Sequence, residues 1–597
     1  MPALPPAPRR RPRRDHAGLL LALSACLAVE GRAHARADAS ATDAVATHAV
    51  ATQAPAVVTA QQGVVATDHP LASAAGLELL RAGGNAIDAA CAAMFALGIV
   101  NPSGSGLGGG GLLLIRPAAA AAPIALDFRE TAPRAATREM FTRAGVARDA
   151  SAVGGLAVAV PGEVQGCATA LARFGRLGLR RVLQPAIRLA RRGFAVGPYL
   201  ALLLPRARQD LQRSPSLART YLPGGAPLRA GQWLRRPRLA AALEAIARQG
   251  PRVFYRGWIA RDLVASARRA GGVLDATDLA RYQPVWRTSL STSFGPFRVF
   301  GFPPPSSGGI ALLEALNVLQ RRDLRRLGHN SAAYLHLLAE TLKHVFADRA
   351  RLLGDSDFVA VPVERLLAPA YAAQLDQRIG AHVLLSASYG LSGATPRAPS
   401  GDRGGTSHLS VVDGQGMAVA LTTSINTGFG SFVVGARSEI LLNNTMDDFA
   451  ARPGEQNAFG LLQSEANAIA PGKRPLSSMS PTIVTRDGRV VAVLGGSGGP
   501  TIITATLQVL LNVLAFELSA GEALRRPRIH HQWLPSELAL EAEIPAAVGA
   551  ELKARGHRLR TIRRPPEPYT AVQLVTVAGP TLQGASDPRK YGAPAGF

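Results

Sequence analysis

Residues 404–422 read GGTSHLSVVDGQGMAVALT. Small or apolar side chains alternate with polar ones over 407–412 and again over 417–422, and a glycine-containing turn separates the two runs. This pattern predicts a β-hairpin. A second hairpin with the same features is predicted over 482–494. Antiparallel strands of this kind, in a chain that also carries long helical patterns, predict sheets covered by layers of helices.

The helical patterns lie on both sides of these hairpins. Residues 69–84 predict one helix, and Asn85 is predicted to cap an alanine-rich helix that runs to about Val100. A long apolar helix is predicted over 501–518. The glycine loop at 104–111 lacks the Lys-Ser/Thr pair of a phosphate-binding loop, so we interpret it as a place where backbones approach closely.

Thr406 stands where a glycine-rich segment meets the first strand of the hairpin. The segment 390–405 has no periodicity and is rich in Gly, Pro and Ser, which predicts an exposed linker. Cleavage of the Gly405–Thr406 bond would place the threonine hydroxyl beside its own free α-amine. Such an amine titrates near pH ~7.7–8.0 and is therefore suited to act as a general base. Thr406 is thus a candidate nucleophile that needs no neighbouring histidine.

The strong positive charge does not indicate a nucleic-acid partner. The formal net charge is +25, but only four of the 66 basic residues are lysines, which indicates a compositional bias toward arginine. The sequence contains neither a zinc-finger pattern nor an aromatic-basic RNA-binding strand. We therefore expect a solvated cationic surface and no nucleic-acid binding.

The N-terminal 37 residues have the pattern of an export signal. Arginines at 9–14 precede an apolar stretch at 17–29 that is too short to span a bilayer, and small residues follow at 33–37. We expect an exported protein, periplasmic or secreted, while the sequence around Cys26 leaves a lipoprotein open. After removal of the leader, Cys91 and Cys167 remain in apolar helical patterns, and we expect two buried thiols.

Several separated blocks resemble the gamma-glutamyltransferase (glutathione hydrolase) family of the N-terminal nucleophile hydrolases. The resemblance extends from about Ala66 to Asp587, nearly the whole chain after the leader. The matching blocks are DFRE at 127–130, PPSSGG at 304–309, TSHLSVV at 406–412, LNNTMDDF at 442–449 and RPLSSMSPT at 474–482.

The resemblance implies an α+β fold, an αββα four-layer sandwich, formed by a proenzyme that cleaves itself before the threonine. The leader pattern predicts a signal peptide at 1–37, and the aperiodic Ala/Thr-rich stretch after it predicts a flexible lead-in at 38–58. The resemblance then implies a large subunit at 59–405 and a small catalytic subunit at 406–597. The two subunits of one precursor would remain associated.

The resemblance also implies the chemistry. Thr406 would attack the γ-amide of glutathione or another γ-glutamyl compound, and the resulting ester would pass to water or to an amino acid or dipeptide acceptor. No cofactor and no metal is expected. The implied roles are cleavage at Gly405-Thr406, assistance by Ser424, oxyanion binding by the amides of Gly498 and Gly499, α-carboxylate binding by Arg129, Ser477 and Ser478, and α-ammonium binding by Asn426, Asp448 and the position of Thr445.

Three positions depart from the family pattern. Thr445 stands where the family usually has Gln or Glu, Phe459 replaces a tyrosine that fastens a lid over the site, and Ser424 is usually threonine. The first change affects the amine end of the site, and the second affects the lid. A cephalosporin (glutaryl) acylase-like amidase on the same fold is therefore an alternative, although a carboxylate at Asp448 would be costly in a pocket without an amine.

Two further alternatives come from other classes of protein. Ser497 lies in a G-x-S-x-G pattern between a strand and a helix, as in a serine hydrolase. The one later aspartate, Asp587, has no histidine after it; a glutamate before His557 could serve, but only about a hundred residues remain for the rest of that fold. A non-catalytic binding protein on the same fold would predict a damaged nucleophile. The adjacent histidines at 530–531 are not expected to share a metal ion, because neighbouring residues of an extended segment point to opposite faces.

Overall fold

A pair of seven-stranded antiparallel sheets forms the framework of the protein in a computed structural model that describes residues 55–389, 404–563 and 570–597. The strands are β1 (Ala56–Ala60), β2 (Gly63–Thr67), β3 (Gly110–Arg116), β4 (Ile124–Phe128), β5 (Phe194–Ala195), β6 (Trp233–Leu234), β7 (Val285–Thr288), β8 (Leu290–Phe294), β9 (Phe297–Gly301), β10 (Gly404–Asp413), β11 (Ala418–Thr427), β12 (Thr482–Arg486), β13 (Arg489–Ser497), β14 (Ile529–His530), β15 (Leu538–Glu541), β16 (Leu559–Ile562), β17 (Ala571–Ala578), β18 (Thr581–Ser586) and β19 (Ala595–Gly596).

The two large sheets mix strands from both ends of the chain. One has the order β1-β18-β17-β13-β12-β9-β8, and the other has the order β19-β2-β10-β11-β3-β4-β7. Two small sheets, β14-β15-β16 and β5-β6, lie outside this framework. The C-terminal strands β17 and β18 therefore belong to the same sheet as β13, which ends beside the glycines of the candidate oxyanion site.

Nineteen α-helices are assigned in the described residues. They are α1 (Pro70–Arg81), α2 (Ala86–Val100), α3 (Glu163–Phe174), α4 (Gly178–Val182), α5 (Gln184–Arg192), α6 (Pro198–Gln212), α7 (Pro215–Tyr221), α8 (Pro237–Gln249), α9 (Arg252–Tyr255), α10 (Trp258–Arg269), α11 (Ala276–Arg281), α12 (Ser307–Leu319), α13 (Leu324–Leu327), α14 (Ala332–Leu352), α15 (Val363–Leu366), α16 (Pro369–Gln377), α17 (Thr501–Leu514), α18 (Ala520–Arg525) and α19 (Ala546–Ala554).

The alternation of side chains along the strands explains the layers. Val411 packs in the apolar cluster formed with α1 and α2, whereas its neighbour Val412 packs in a cluster between the two sheets. On the other sheet Ile483 joins the same inter-sheet cluster, and Val484 packs against α12, α14 and α17. Successive side chains of a strand point to opposite faces, so each sheet has one face toward the other sheet and one toward helices. The αββα expectation is confirmed.

The hairpin that carries Thr406 is longer than its alternation predicts. Strand β10 begins at Gly404 and β11 continues to Thr427, because Gly404 and Gly405 pair with Thr427 and Asn426 across the hairpin. The register of the hairpin shifts between Gly405 and Thr406. The predicted scissile bond thus lies at a β-bulge, where the ladder is locally disrupted.

The predicted start of the second helix is confirmed. The Asn85 side chain accepts hydrogen bonds from the amides of Ile87 and Asp88, and the Asp88 carboxylate accepts one from the amide of Asn85. This capping box satisfies amides that the first turn leaves unpaired. Helix α2 is buried along its whole length and lies under the sheet that carries Thr406.

Three expectations need correction. Cys91 and Cys167 form a disulfide between α2 and α3 instead of two thiols, because the packing of these helices brings their Cα atoms to 5.8 Å. The last residues of the predicted lead-in, Ala56–Val58, pair with β18 as part of β1. The apolar helix beginning at Thr501 ends at Leu514.

The remaining predictions for the N-terminus and the linker lie mostly outside the described residues. These are the leader at 1–37, the lead-in up to residue 54 and the linker over 390–403. Within the described ranges, helices long and apolar enough to cross a bilayer are absent.

Candidate active site

The hydroxyl of Thr406 is held by the strand that pairs with its own. Thr406 Oγ1 lies 3.0 Å from Ser424 Oγ on β11. Ser424 Oγ donates a hydrogen bond of 2.9 Å to the carbonyl oxygen of Gly405 and accepts one of 2.9 Å from the amide of Asn426. The Ser424 hydroxyl has one proton, so the hydroxyl of Thr406 is the donor to Ser424. The candidate nucleophile and the carbonyl of the predicted scissile bond therefore share one serine.

The backbone opposite this bond is unusual. Asn426 pairs across the hairpin with Gly405 and has φ of +80°, a conformation that few residues other than glycine adopt. Its side-chain amide donates 3.1 Å to the carbonyl oxygen of Asn444, which ties the hairpin to the segment 443–448. Asn426 thus links the predicted cleavage point to the predicted ammonium site.

The predicted oxyanion glycines connect β13 to α17. Gly498 has φ of +137° and Gly499 has φ of +62°, and a side chain at either position would be strained. A Cβ atom on Gly499 would lie 2.8 Å from the ring of Phe459. The pair therefore brings backbone amides to the start of a helix, a favourable place for a developing negative charge.

A buried lysine, which sequence reasoning did not single out, joins these two parts. Lys590 Nζ donates 2.8 Å to Ser497 Oγ and 3.2 Å to the carbonyl oxygen of Thr406. Ser497 also hydrogen-bonds the carboxylate of Asp68. Asp68 in turn accepts from the amide of His408 at 3.2 Å. Ser497 is fully buried and bound to a cation, so the structure gives no support to its interpretation as the nucleophile of a hydrolase elbow.

The predicted carboxylate and ammonium contacts form an ion pair with each other. Arg129 donates to Asp448 through Nη2, to Glu130 Oε2 at 3.3 Å through Nη1 and to the carbonyl oxygen of Pro475 at 3.3 Å through Nε. Burial raises the pKa of Asp448 to about 6, against the opposing effect of Arg129. Burial likewise raises the pKa of Glu130 to about 7. A guanidinium and a carboxylate side by side are complementary to a zwitterionic amino-acid head group.

The serine pair is positioned by the loop before α12. Ser307 donates from its amide at 2.8 Å and from its hydroxyl at 2.6 Å to the carbonyl oxygen of Ser477. Arg349 on α14 donates 3.0 Å to the hydroxyl oxygen of Ser307. Ser477 is buried, and its hydroxyl oxygen accepts from the amide of Met479, whereas Ser478 is partly exposed. The block PPSSGG therefore supports the serine pair through the backbone.

Thr445 is buried and already has a partner. Its hydroxyl donates 2.6 Å to Asn443 Oδ1. Asn443 Nδ2 donates 2.8 Å to the carbonyl oxygens of Gly108 and Ala159, so this asparagine is fixed by the glycine loop and by the segment before α3. The hydroxyl of Thr445 is therefore already hydrogen-bonded to a neighbouring side chain of its own segment.

The segment with Phe459 is fastened without a tyrosine hydroxyl. Gln532 Nε2 donates 3.1 Å to the carbonyl oxygen of Phe459 and 3.1 Å to that of Gly460. His530 Nε2 lies 2.9 Å from Gln532 Oε1, and His530 Nδ1 lies 3.0 Å from Thr504 Oγ1. The histidine at 530 thus belongs to a hydrogen-bond chain that ends at the predicted lid.

One group within the described ranges has the atom types and spacing of a metal site. The ligand atoms of His336, Glu340 and His557 lie within 4.8 Å of one another. The Lys343 ammonium donates 2.9 Å to Glu340 and thereby supplies the positive charge that this carboxylate needs. His336 Nδ1 lies 2.9 Å from His557 Nε2, and its Nε2 lies 2.9 Å from the carbonyl oxygen of Gly380. Protein groups alone therefore satisfy this cluster.

Comparison with known proteins confirms the resemblance over nearly the whole chain. The family model described as Gamma-glutamyltranspeptidase matches residues 72–597. The glutathione hydrolase proenzyme of Escherichia coli (strain K12) is 41% identical over 537 residues, which cover 89% of this chain and 91% of that protein. The acylase ACY 1 proenzyme of Pseudomonas sp. (strain V22) is 40% identical over 545 residues, with coverages of 90% and 94%. The crystal structure of a cephalosporin acylase from Bacillus halodurans superposes with a TM-score of 0.79 at 28% identity, covering 91% of this chain and 97% of that one.

Proposed function

Because the chain belongs to the gamma-glutamyltranspeptidase family, we propose that it is a self-cleaving enzyme that hydrolyses and transfers γ-glutamyl groups, with Thr406 as its nucleophile. The observation that carries the proposal is the shared hydrogen bonding of Thr406, Ser424 and Gly405 at the β-bulge. This arrangement places a hydroxyl, a hydrogen-bond acceptor for it and a polarised carbonyl at one peptide bond.

Self-cleavage proceeds in two steps. Thr406 Oγ1 attacks the carbonyl carbon of Gly405, the C–N bond breaks, and the hydroxyl proton passes to the nitrogen, which leaves as the α-amine of Thr406. The Ser424 hydroxyl stabilises the oxyanion because it already donates to this oxygen. Water then hydrolyses the ester, which leaves a carboxylate on Gly405 and a free hydroxyl and amine on Thr406.

The mature reaction uses the same hydroxyl. The α-amine of Thr406 takes its proton as the oxygen attacks the γ-amide carbon of the substrate. The amides of Gly498 and Gly499 stabilise the oxyanion, and the departing amine takes up the proton. The γ-glutamyl ester then passes to water or to the amino group of an acceptor. Glutathione is the proposed donor, and amino acids or dipeptides are the proposed acceptors.

The substrate head group is bound at the Arg129–Asp448 pair. Its α-carboxylate is held by Arg129 with Ser477 and Ser478, and its α-ammonium by Asp448 and Asn426. Substrate binding separates the existing ion pair into two new ones, so neither buried charge is left uncompensated.

Export is a further part of the proposal. The leader pattern at 1–37 supports a periplasmic or secreted protein. The alternative form of this proposal is an exported lipoprotein that is anchored through Cys26. The buried Cys91–Cys167 disulfide supports the same compartment, because disulfides persist in oxidising environments.

A glutaryl or cephalosporin acylase is the second candidate. It is favoured by the buried hydroxyl of Thr445, which is directed to Asn443, and by the similarity to proteins named acylases. Asp448 favours specificity for γ-glutamyl groups, since a glutaryl group has no ammonium to pair with this carboxylate.

Experiments on the purified protein distinguish the γ-glutamyl enzyme from the glutaryl acylase. Intact mass and N-terminal sequencing are combined with assays on γ-glutamyl-p-nitroanilide and glutaryl-p-nitroanilide. Two chains, the smaller beginning at Thr406, with faster γ-glutamyl release are expected. Faster glutaryl release would assign the protein to the acylase group, and an uncut, inactive chain would overturn Thr406 as nucleophile.

A further inference from the structure

Lys590 is a buried cation at the ends of two strands from opposite sheets. It is 1% exposed, and its ammonium donates to Ser497 Oγ at the end of β13 and to the Thr406 carbonyl oxygen on β10. The ammonium also lies 5.3 Å from the centre of the Tyr199 ring. Its neighbour Arg589 faces away, toward Glu541 and Asp587, at 2.7 and 3.0 Å. Lys590 is therefore the cation directed at the nucleophile residue.

The ammonium lies close to the atom that becomes charged after cleavage. Nζ is 3.2 Å from the carbonyl oxygen of Thr406. Backbone bond lengths place the nitrogen of the same residue within about 7 Å of Nζ. In the precursor this nitrogen is a neutral amide. After cleavage it is an amine whose protonation would put a second positive charge beside Lys590.

Titratable groups from several elements of the described residues surround Thr406 and Lys590. Asp68, after β2, is the carboxylate of this group; burial raises its pKa, and Lys590 lowers it in part. Burial lowers the pKa of His408 to about 3, so that ring is neutral. Toward β3 and β4 lie the carboxyls of Glu130 and Glu163, and Glu163 is bound by Thr423.

We propose that Lys590 is a positioning residue that joins the nucleophile strand to the oxyanion strand and keeps the released α-amine of Thr406 in its neutral, basic form. This inference rests on the proposed function of Thr406. Like charges in a buried site disfavour one another's ionised form, so the ammonium acts on the amine without touching substrate. The effect begins only with cleavage, when the amine is formed.

The test is the pH dependence of kcat/KM of the self-cleaved enzyme on γ-glutamyl-p-nitroanilide. In Lys590→Met, which keeps the length and loses the charge, the midpoint of the acid limb should rise by about one pH unit or more. Lys590→Arg should keep the midpoint of the native enzyme. Lys553→Met, the same change at an exposed lysine of α19, is the matched control and should not shift the limb.

Asp68→Asn is a second test, in which the midpoint of the acid limb should shift in the opposite direction. This variant still tests the inference if Lys590→Met does not cleave itself. Loss of this carboxylate should move the midpoint to lower pH. Glu130 and Asp448 titrate in the same range but contact Arg129, so they contribute equally to each profile. A uniform loss of rate in Lys590→Met without a shift, or an unshifted Asp68→Asn, would overturn the inference. An uncut or inactive native enzyme would instead overturn the proposed function.

Discussion

The side-chain oxygens of Thr406 and Ser424 lie 3.0 Å apart, and both residues are buried. Because the single proton of Ser424 is donated to the carbonyl oxygen of Gly405, the two hydroxyls have fixed directions. Ser424 Oγ accepts the hydrogen bond of the Thr406 hydroxyl while its own hydroxyl polarises the carbonyl of Gly405. The geometry before cleavage therefore favours the intramolecular reaction.

Ser424→Ala should slow self-cleavage by roughly 10²–10³-fold, as loss of one oxyanion donor does. The measurement is the fraction of cut chain against time after purification of the precursor. Ser424→Thr is the matched control, since it restores a hydroxyl at the same atom position, and it should cleave. Cleavage of Ser424→Ala at the native rate would remove Ser424 from the mechanism.

Titration of Asp448 should make kcat/KM of the γ-glutamyl reaction depend on pH. Burial raises its pKa to about 6, so kcat/KM should fall as pH decreases through about 6. Below this pH the carboxyl is protonated and no longer pairs with the ammonium of the substrate. Asp448→Asn should reduce kcat/KM by about 10- to 100-fold. A substrate without the amine, glutaryl-p-nitroanilide, is the control on the same enzyme and should lack this loss. An equal loss for both substrates would show that Asp448 does not read the amine.

Thr445→Gln should increase the preference for γ-glutamyl over glutaryl substrates. The longer amide adds a partner for the substrate ammonium, an effect of about 5- to 100-fold in the ratio of kcat/KM values. Thr445→Val is the matched control: it loses the bond to Asn443 Oδ1 but gains no contact to substrate. Equal ratios of kcat/KM in Thr445→Gln and Thr445→Val would show that residue 445 does not govern specificity.

Glu163 should make the folded protein less stable at alkaline pH. Burial raises its pKa to about 8, so the folded state keeps a proton that the unfolded chain has released. The stabilisation is complete below the unfolded pKa of about 4.5 and is lost as pH rises through about 8. From pH 5 to pH 9 the native protein should therefore lose about 4 kcal/mol of unfolding free energy that Glu163→Gln keeps, at about 1.4 kcal/mol per pKa unit.

The measurement is urea denaturation of both proteins across this pH range. Glu551→Gln, at an exposed glutamate of α19, is the control and should follow the native protein at each pH. Parallel curves for Glu163→Gln and the native protein would show that this carboxyl does not titrate between the two states.

The Cys91–Cys167 disulfide should contribute about 4 kcal/mol to the unfolding free energy in the chain-entropy description, because it closes a loop of 76 residues. Denaturation with and without reductant measures the difference. The double variant Cys91→Ser, Cys167→Ser should be as unstable as the reduced protein and insensitive to reductant. Alkylation of both thiols in the denatured, unreduced protein would contradict the disulfide.

Local patterns predicted the elements that depend on neighbours in sequence. The hairpin around Thr406 follows from alternation and its turn, and the start of α2 follows from Asn85 and Asp88. The cysteines show the limit of this reasoning. Each lies in an apolar helical pattern, and only the packing of α2 on α3 brings them together.

The sequence by itself determined which threonine is the candidate nucleophile, because the block TSHLSVV at 406–412 resembles the start of the family's small subunit. The glycines before Thr406 and the alternating strand after it are common features that do not identify a nucleophile alone. The tertiary structure decided which charges surround it. Arg129 and Asp448 are 319 residues apart, and Lys590 is 184 residues from Thr406. Periodicity and turn chemistry reach only a few residues along the chain. Contacts across hundreds of residues depend on how two sheets and their helices pack, and this packing places the lysine beside the threonine.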